Sequence, residues 1–257
     1  MATRIQTHNI PVTYIVNGAL TSPKFGKAFA KGCGGITSSD PHHLIDADVA
    51  MFGHPDLFAL LHQAQAQGKN WYYGDKAYFG RDTYYRVTKN AYMHKALNGD
   101  DDSKRWNRLN IPIKDWQHGT DILLCPQSDV YFRLHGTTQA KWIKRTTDGL
   151  KEHTDRNIRV HYKNCANDTE TAFKRQLKDV WAVVVYSSMS GVQATVHGVP
   201  CFATDPHCTS ASFGTTDLSL IESPIKPDNR LQMVSILANN QWTLTEINSK
   251  LAWEALQ

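Results

Sequence analysis

The stretch WAVVVYSSMSGVQATVHGVPCFA, residues Trp181–Ala203, decides the fold class of this chain. It opens with a Val-rich apolar run, which is typical of a strand that is buried on both faces of a parallel sheet. A Ser/Gly-rich turn and a short helix follow, and His197–Pro200 leads into a second strand. Strand, turn, helix and strand in this order predict a βαβ unit with a parallel sheet.

The rest of the chain repeats this alternation of short apolar runs with helix-compatible stretches. Helices are predicted at Pro55–Gly68, Gly136–Asp148, Asp168–Leu177 and Gly191–His197. The alternation predicts an α/β protein with two Rossmann-like lobes and parallel sheets. Strands are predicted at Val12–Val16, Asp48–Gly53, Asn70–Asp75, Asp121–Pro126, Ile158–Lys163, Trp181–Ser187 and Pro200–Asp205.

A division into two lobes is predicted from residues 98–120, which carry acidic and basic runs without a steady period. We therefore expect an acceptor lobe over residues 1–115 and a donor lobe over residues 116–257, with a cleft between them. The C-terminal residues are helical in pattern and are expected to cross back. Thr243 begins a TLTE sequence, which matches the capping-box pattern of a helix start.

Composition narrows the class of protein. The chain has 257 residues, of which 41% are hydrophobic and 20% charged, and this profile excludes a disordered or collagen-like chain. We expect a soluble, cytoplasmic protein, because no apolar run is long enough for a membrane span and no secretion signal is recognisable. Five scattered cysteines disfavour a disulfide framework and a zinc ribbon. The formal charge of +4 is compatible with a polyanionic ligand.

The turn after the Val-rich strand is a candidate phosphate site. Serine hydroxyls and backbone N–H groups at the start of a helix suit a phosphate group. The alternative is that Ser188 or Ser190 only caps the helix, which serine commonly does.

The order of strand, Ser-rich turn, small-residue helix, HGxP and strand resembles the donor-site half of GT-B glycosyltransferases, notably bacterial capsule polysaccharide synthesis transferases. The resemblance implies a nucleotide-sugar donor, such as a UDP-sugar, with His197 and Gly198 closing the helix. Many relatives carry a Glu that holds the donor ribose, and Gln193 stands at the corresponding position. The implied donor-phosphate residues in this turn are Ser187, Ser188, Ser190 and Gly191.

Two further segments are expected to contact the nucleotide-sugar donor because of their positions at strand ends. Arg159 and Lys163 lie on one face of the strand IRVHYKN together with His161, and this face is expected to meet the donor phosphates. A solvated edge strand is the alternative. Gln127 and Ser128 follow the predicted strand DILLC and are expected either to contact the nucleoside or to form a plain loop exit.

Asp75 is the predicted catalytic base. It ends an aromatic strand, where α/β proteins place catalytic groups, and transfer to a hydroxyl needs a group that accepts its proton. The segment also resembles the corresponding strand of the DNA β-glucosyltransferase of T-even phages, in which such an Asp is the base. A single in-line displacement would invert the anomeric configuration.

The acceptor prediction rests on YGDKAYFGR and YYRVTKNAYMH, which resemble uncharacterised proteins of tailed phages and prophages. The resemblance implies sugar transfer to hydroxymethylpyrimidine in double-stranded phage DNA, with aromatic rings stacking on a base and cations contacting phosphates. The alternative is that these tyrosines are core residues and the cations a solvated face. The predicted acceptor-binding residues are His54, Lys76, Tyr78, Arg81, Tyr85, Arg86 and Asn90.

Other functions remain open at the sequence level. The acceptor could be a glycan, and the chain could instead be a non-catalytic nucleotide- or DNA-binding protein of the same fold. We expect no metal and no cofactor, because serines and cations would neutralise the diphosphate and no HExxH or DxD motif stands at a clear strand end. Asp100, Asp101 and Asp102 are interpreted as a solvated loop, with a triple-Asp metal site as the alternative.

Overall fold

The computed structural model describes residues 10–162 and 170–257. The chain divides into two compact units. The first unit comprises Met1–Tyr92 and Asn240–Gln257, and the second comprises Met93–Asn239. This division differs from the one predicted after residue 115: the chain leaves the first unit after Tyr92 and returns to it at Asn240.

A six-stranded sheet forms the centre of the first unit. Its strands are β1 (Val12–Tyr14), β2 (Ile36–Ser38), β3 (Val49–Phe52), β4 (Trp71–Lys76), β5 (Tyr84–Lys89) and β10 (Trp242–Thr243). Their spatial order is β10-β5-β4-β3-β1-β2. Strands β1 to β4 run parallel, β5 is antiparallel to β4, and β10 is antiparallel to β5. The pairing of β10 with β5 explains why the C-terminal residues belong to this unit.

Helices cover both faces of this sheet. On one face, α1 (Ser22–Cys33), α9 (Leu244–Asn248) and α10 (Leu251–Glu254) pack over a cluster that includes Phe25 and Tyr72. On the other face, α2 (Phe58–Ala66) supplies apolar side chains to a second cluster. Apolar burial on both sides is the arrangement that keeps a mostly parallel sheet out of water.

The second unit contains a four-stranded, fully parallel sheet. Its spatial order is β7-β6-β8-β9. The strands are β6 (Asp121–Cys125), β7 (Ile158–Val160), β8 (Val180–Val185) and β9 (Cys201–Ala203). The helices of this unit are α3 (Lys104–Leu109), α4 (Asp129–Leu134), α5 (Gln139–Lys151), α6 (Glu170–Gln176), α7 (Ser190–Val196) and α8 (Arg230–Asn239).

The predicted fold class is confirmed, since both sheets are parallel or mostly parallel and strands alternate with helices. Each of the seven predicted strands has a counterpart among β1, β3, β4, β6, β7, β8 and β9. Strands β2, β5 and β10 and helices α1, α3 and α4 were not predicted from the sequence.

Two local predictions about helix ends hold. Thr243 caps α9 with a complete capping box, in which its side chain accepts from the Glu246 N–H and the Glu246 carboxylate accepts from the Thr243 N–H. His197 is the C-cap residue of α7, and Gly198 follows at φ +81°. A Cβ at Gly198 would lie 2.0 Å from the Asp115 carbonyl oxygen, so only glycine fits this turn.

No helix among the described residues is both long enough and apolar enough to cross a membrane.

Candidate functional site

The strand order places a topological switch point in each sheet. In the second unit the chain moves from β6 to β7 on one side and then to β8 on the other side of β6. Ligands of open α/β sheets bind outside the carboxyl ends of the strands at such a point. In the first unit the corresponding point lies between β1 and β3.

The switch point in the sheet of the second unit brings together two of the segments that were predicted to bind the nucleotide-sugar. Cys125 and Val185 are paired at the carboxyl ends of the adjacent strands β6 and β8. Gln127 and Ser187 each lie two residues beyond this pair, so their loops leave the same edge of the sheet. Ser128 is exposed at the start of α4. The sequence alone could not predict that these two loops are neighbours, because a single sequence does not reveal the order of the strands in the sheet.

The serine turn itself is tightly organised. The hydroxyl oxygens of Ser188 and Ser190 lie 3.0 Å apart, and Ser188 Oγ accepts a hydrogen bond from the Ser190 N–H at 3.2 Å. Both residues are half-buried. Ser188 therefore binds a backbone N–H of the first turn of α7, as the helix-capping alternative predicted. The N-cap residue itself is Met189, whose side chain forms no capping hydrogen bond.

Ser187 and Gly191 are less accessible than the donor prediction requires. Ser187 is fully buried, and its hydroxyl has no hydrogen-bond partner within the described part of the chain. The Gly191 N–H already donates to the Ser188 carbonyl at 3.3 Å. A Cβ at Gly191 would lie 2.7 Å from Ser210 Oγ, so this glycine permits close packing beneath the turn.

Arg159 of the basic strand is engaged away from the serine turn. Arg159 forms an ion pair with Asp121 at 2.7 Å, and Asp121 is the first residue of β6, at the opposite end from Cys125. The Arg159 guanidinium is therefore drawn toward the amino end of the sheet. Lys163 lies outside the described residues. Gln193 is half-buried in α7, where its carbonyl accepts from the His197 N–H.

Three aromatic side chains that sequence reasoning missed lie at the same switch point. Tyr186 directly follows β8, Tyr131 lies within α4, and His135 is the C-cap residue of α4. The ring centroids of Tyr131 and His135 are 4.6 Å apart, and those of His135 and Tyr186 are 5.8 Å apart. Burial raises the pKa of the Tyr186 hydroxyl. The sequence signal for this cluster was limited to Tyr186, an aromatic residue directly after a buried strand.

In the first unit, Asp75 lies near the carboxyl end of β4 and is fixed by two contacts. Its Oδ2 lies 2.6 Å from an Arg86 guanidinium nitrogen, and its Oδ1 accepts from the Lys76 N–H at 2.6 Å. Its side chain is 33% exposed, against 3% for Arg86. Asp75 thus keeps access to solvent while its orientation is set by the protein.

The predicted acceptor residues are not all at the surface. Tyr78, Tyr85 and Arg86 are buried, which speaks against their direct contact with an acceptor. Asn90 is exposed and directly follows β5, where its side chain accepts a hydrogen bond from the N–H of Trp71, the first residue of β4.

The remaining acceptor candidates are accessible. Arg81 is exposed, and Lys76 is half-buried with its ammonium 5.1 Å from the Tyr85 ring centroid. His54 follows β3 at the switch point of the first sheet, and its Nδ1 accepts from the Asp56 N–H at 3.3 Å. His54 therefore caps a 3-10 turn and is half-buried.

The acidic run at residues 100–102 has a structural explanation. Asp102 accepts from the Lys104 N–H at the start of α3, and the Asp101 carboxylate accepts from Gln232 in α8. All three Asp residues are exposed. Across residues 10–162 and 170–257, no group of three or more His, Cys, Asp or Glu side chains is arranged to hold a metal ion.

Comparison with solved structures identifies the architecture. The β-Kdo 2,4-transferase of Thermosulfurimonas dismutans KpsC superposes with a TM-score of 0.53 at 13% identity, covering 90% of this chain and 90% of that chain. The chain shares the fold of this transferase. The β-Kdo 2,7-transferase of the same KpsC gives a TM-score of 0.50 at 12% identity, covering 95% of this chain and 99% of that one. No protein-family model and no curated protein sequence matches the chain.

Proposed function

We propose that this protein is a glycosyltransferase that moves a sugar from a nucleotide-sugar to a hydroxyl acceptor. The observation that carries the proposal is the parallel four-stranded sheet, whose switch point gathers the loops of Gln127 and Ser188 at one edge. The fold shared with two proteins named as Kdo transferases supports transfer chemistry. Fold alone does not imply function, so the site residues carry the argument.

The diphosphate of the nucleotide-sugar is assigned to Ser188 and Ser190. Their hydroxyl groups are adjacent at the sheet edge, so both can donate hydrogen bonds to the same phosphate. Arg159 is not part of this assignment, because Asp121 already neutralises it. A hydrogen bond to a charged ligand contributes about 1.5–3 kcal/mol, so its loss weakens binding by roughly 10- to 100-fold.

The donor site is tested by calorimetric titration of UDP, and of other nucleoside mono- and diphosphates, into the intact protein. We expect Ser188→Ala and Ser190→Ala to weaken the best-bound nucleotide by about tenfold or more. Ser249→Ala, a change of an exposed serine in the first unit, is the matched control. Unchanged affinity in both site variants would remove the serine turn from the donor site.

Asp75 is proposed to take the proton from the acceptor hydroxyl, and transfer is proposed to invert the anomeric configuration. Replacing a general base commonly lowers turnover by about 10²- to 10⁴-fold. We therefore expect Asp75→Asn to lower kcat by that factor, while Asp82→Asn, at an exposed Asp in the next loop, leaves it unchanged. Parental turnover by Asp75→Asn would exclude Asp75 as the base.

The acceptor class is tested by offering labelled nucleotide-sugars with two acceptors. One is DNA containing hydroxymethylcytosine or hydroxymethyluracil, and the other is a glycan. The burial of Tyr78, Tyr85 and Arg86 removes part of the surface expected to face DNA. The two proteins of the same fold are named as Kdo transferases, which favours the glycan, and label in DNA alone would reverse this preference.

A further inference from the structure

Arg86 was predicted to bind the acceptor, but its surroundings suit a different task. It lies on β5 directly opposite Asp75 on β4. Its side chain is 3% exposed, whereas that of Asp75 is 33% exposed. The cation of this pair is thus buried, while the carboxylate opens toward solvent.

The guanidinium is held from three directions. One terminal nitrogen donates to Asp75 Oδ2 at 2.6 Å, and the other donates to the Lys76 carbonyl oxygen at 2.7 Å. Its central carbon, Cζ, lies over the Tyr78 ring, 5.3 Å from the centroid. Because the Lys76 N–H in turn binds Asp75 Oδ1, the carboxylate and the guanidinium are both tied to the same peptide segment.

Burying the Arg86 guanidinium has a cost in folding free energy. Removing a guanidinium from water carries a penalty of several kcal/mol, and well-packed apolar residues often replace buried ion pairs without loss of stability. The two contacts to Asp75 use two of about four acceptor positions on a carboxylate. The remaining positions lie on a side chain that is one-third exposed, so Asp75 is oriented while those oxygen lone pairs stay open to a hydroxyl group.

We infer that Arg86 is a positioning residue for the transfer reaction: it fixes the Asp75 carboxylate so that its open oxygen lone pairs face the acceptor hydroxyl. The inference rests on the proposed function. In the step, the hydroxyl proton passes to Asp75, and the acceptor oxygen forms its bond to the anomeric carbon. The bond from that carbon to the phosphate oxygen breaks, and the nucleotide leaves with the electron pair. Arg86 exchanges no proton.

The test compares Arg86→Lys and Arg86→Met with a control variant, Arg108→Met, at an exposed arginine of the second unit. Steady-state kinetics, thermal unfolding and nucleotide affinity are measured for each intact protein. Lysine keeps the charge but loses the fork that binds two acceptors at once. A misplacement of about 1 Å can cost roughly 100-fold in rate. We therefore expect kcat to fall by about 10- to 100-fold in Arg86→Lys and further in Arg86→Met, with KM and nucleotide affinity within about threefold.

A double variant separates positioning from other roles. If Arg86 acts through Asp75, adding Arg86→Lys to Asp75→Asn lowers kcat no further, because the carboxylate that Arg86 orients is already lost. A raised KM with unchanged kcat would instead make Arg86 an acceptor-binding residue. The inference would also be overturned if the losses of kcat in the two single variants added up in the double variant. Parental kcat in correctly folded Arg86→Lys would overturn it as well. Absence of sugar transfer by the unmodified protein would overturn the proposed function itself.

Discussion

At the residue scale, Ser187 in the serine turn and Ser210, which contacts that turn, are both buried but differ in one respect. Ser210 donates its hydroxyl to the Ser188 carbonyl at 2.6 Å, whereas the Ser187 hydroxyl has no partner among the described residues. A buried hydroxyl without a partner costs about 1–3 kcal/mol, whereas a satisfied one contributes about 1 kcal/mol. The same chemical change should therefore have opposite effects at the two positions.

We expect Ser187→Ala to leave the free energy of unfolding unchanged or to raise it by up to about 1 kcal/mol, because the unpaired hydroxyl is removed. Ser210→Ala should lower it by about 1 kcal/mol or more. Urea unfolding of the ligand-free variants measures both values. A marked loss of stability in Ser187→Ala would mean that its hydroxyl has a partner in solution.

At the element scale, strands with continuous apolar runs were predictable because their burial on both faces leaves a local signal. The run at Val180–Val185 is the clearest case. Strand β5 was missed because Arg86 and Thr88 interrupt its apolar positions, and their burial depends on partners in β4. Helix α1 carries Gly26 and Gly32, which weaken the helical signal.

The candidate site was predictable from the sequence only in part. The serine turn follows from the sequence, since Ser/Gly-rich residues interrupt the apolar runs there. The ion pairs of Arg86 with Asp75 and of Arg159 with Asp121 join different strands, so strand order and register decide them. A single sequence contains the partners but not their pairing.

Two helical glycines provide a test of packing at this scale. A Cβ at Gly191 in α7 would lie 2.7 Å from Ser210 Oγ and 2.8 Å from Ser210 Cβ, whereas the nearest atom to one at Gly149 in α5 is 3.9 Å away. Overpacking costs about 1–3 kcal/mol, while alanine in place of an unhindered helical glycine gains about 0.5–1 kcal/mol.

We therefore expect Gly191→Ala to lower the free energy of unfolding by about 1–3 kcal/mol and Gly149→Ala to raise it slightly. Thermal and urea unfolding measure the pair in parallel. A stable Gly191→Ala protein would show that Ser210 can move aside.

At the scale of the whole molecule, the first unit depends on residues that are distant in sequence. Trp242 belongs to its core cluster with Phe25, Phe29 and Tyr72, and Phe79 donates its N–H to the side chain of buried Gln241. Removal of residues 240–257 would expose this cluster and leave β5 without its neighbour β10.

We expect the chain truncated after Asn239 to lose the cooperative unfolding of the first unit while the continuous second unit keeps its fold. Limited proteolysis with mass spectrometry should give cleavage within residues 10–92 and protection of residues 93–162 and 170–239. Protection of both regions would show that the returning segment is dispensable.

The interrupted first unit also has a consequence for synthesis on the ribosome. Residues 10–92 emerge before the second unit, but their sheet lacks β10 and their helical cover lacks α9 and α10 until residue 254 has left the exit tunnel. The second unit is continuous and can complete its fold during this interval. The unit that emerges earlier is thus the one that completes its fold later, and until then the aromatic side chains of its core cluster, such as Phe25 and Tyr72, lack part of their cover.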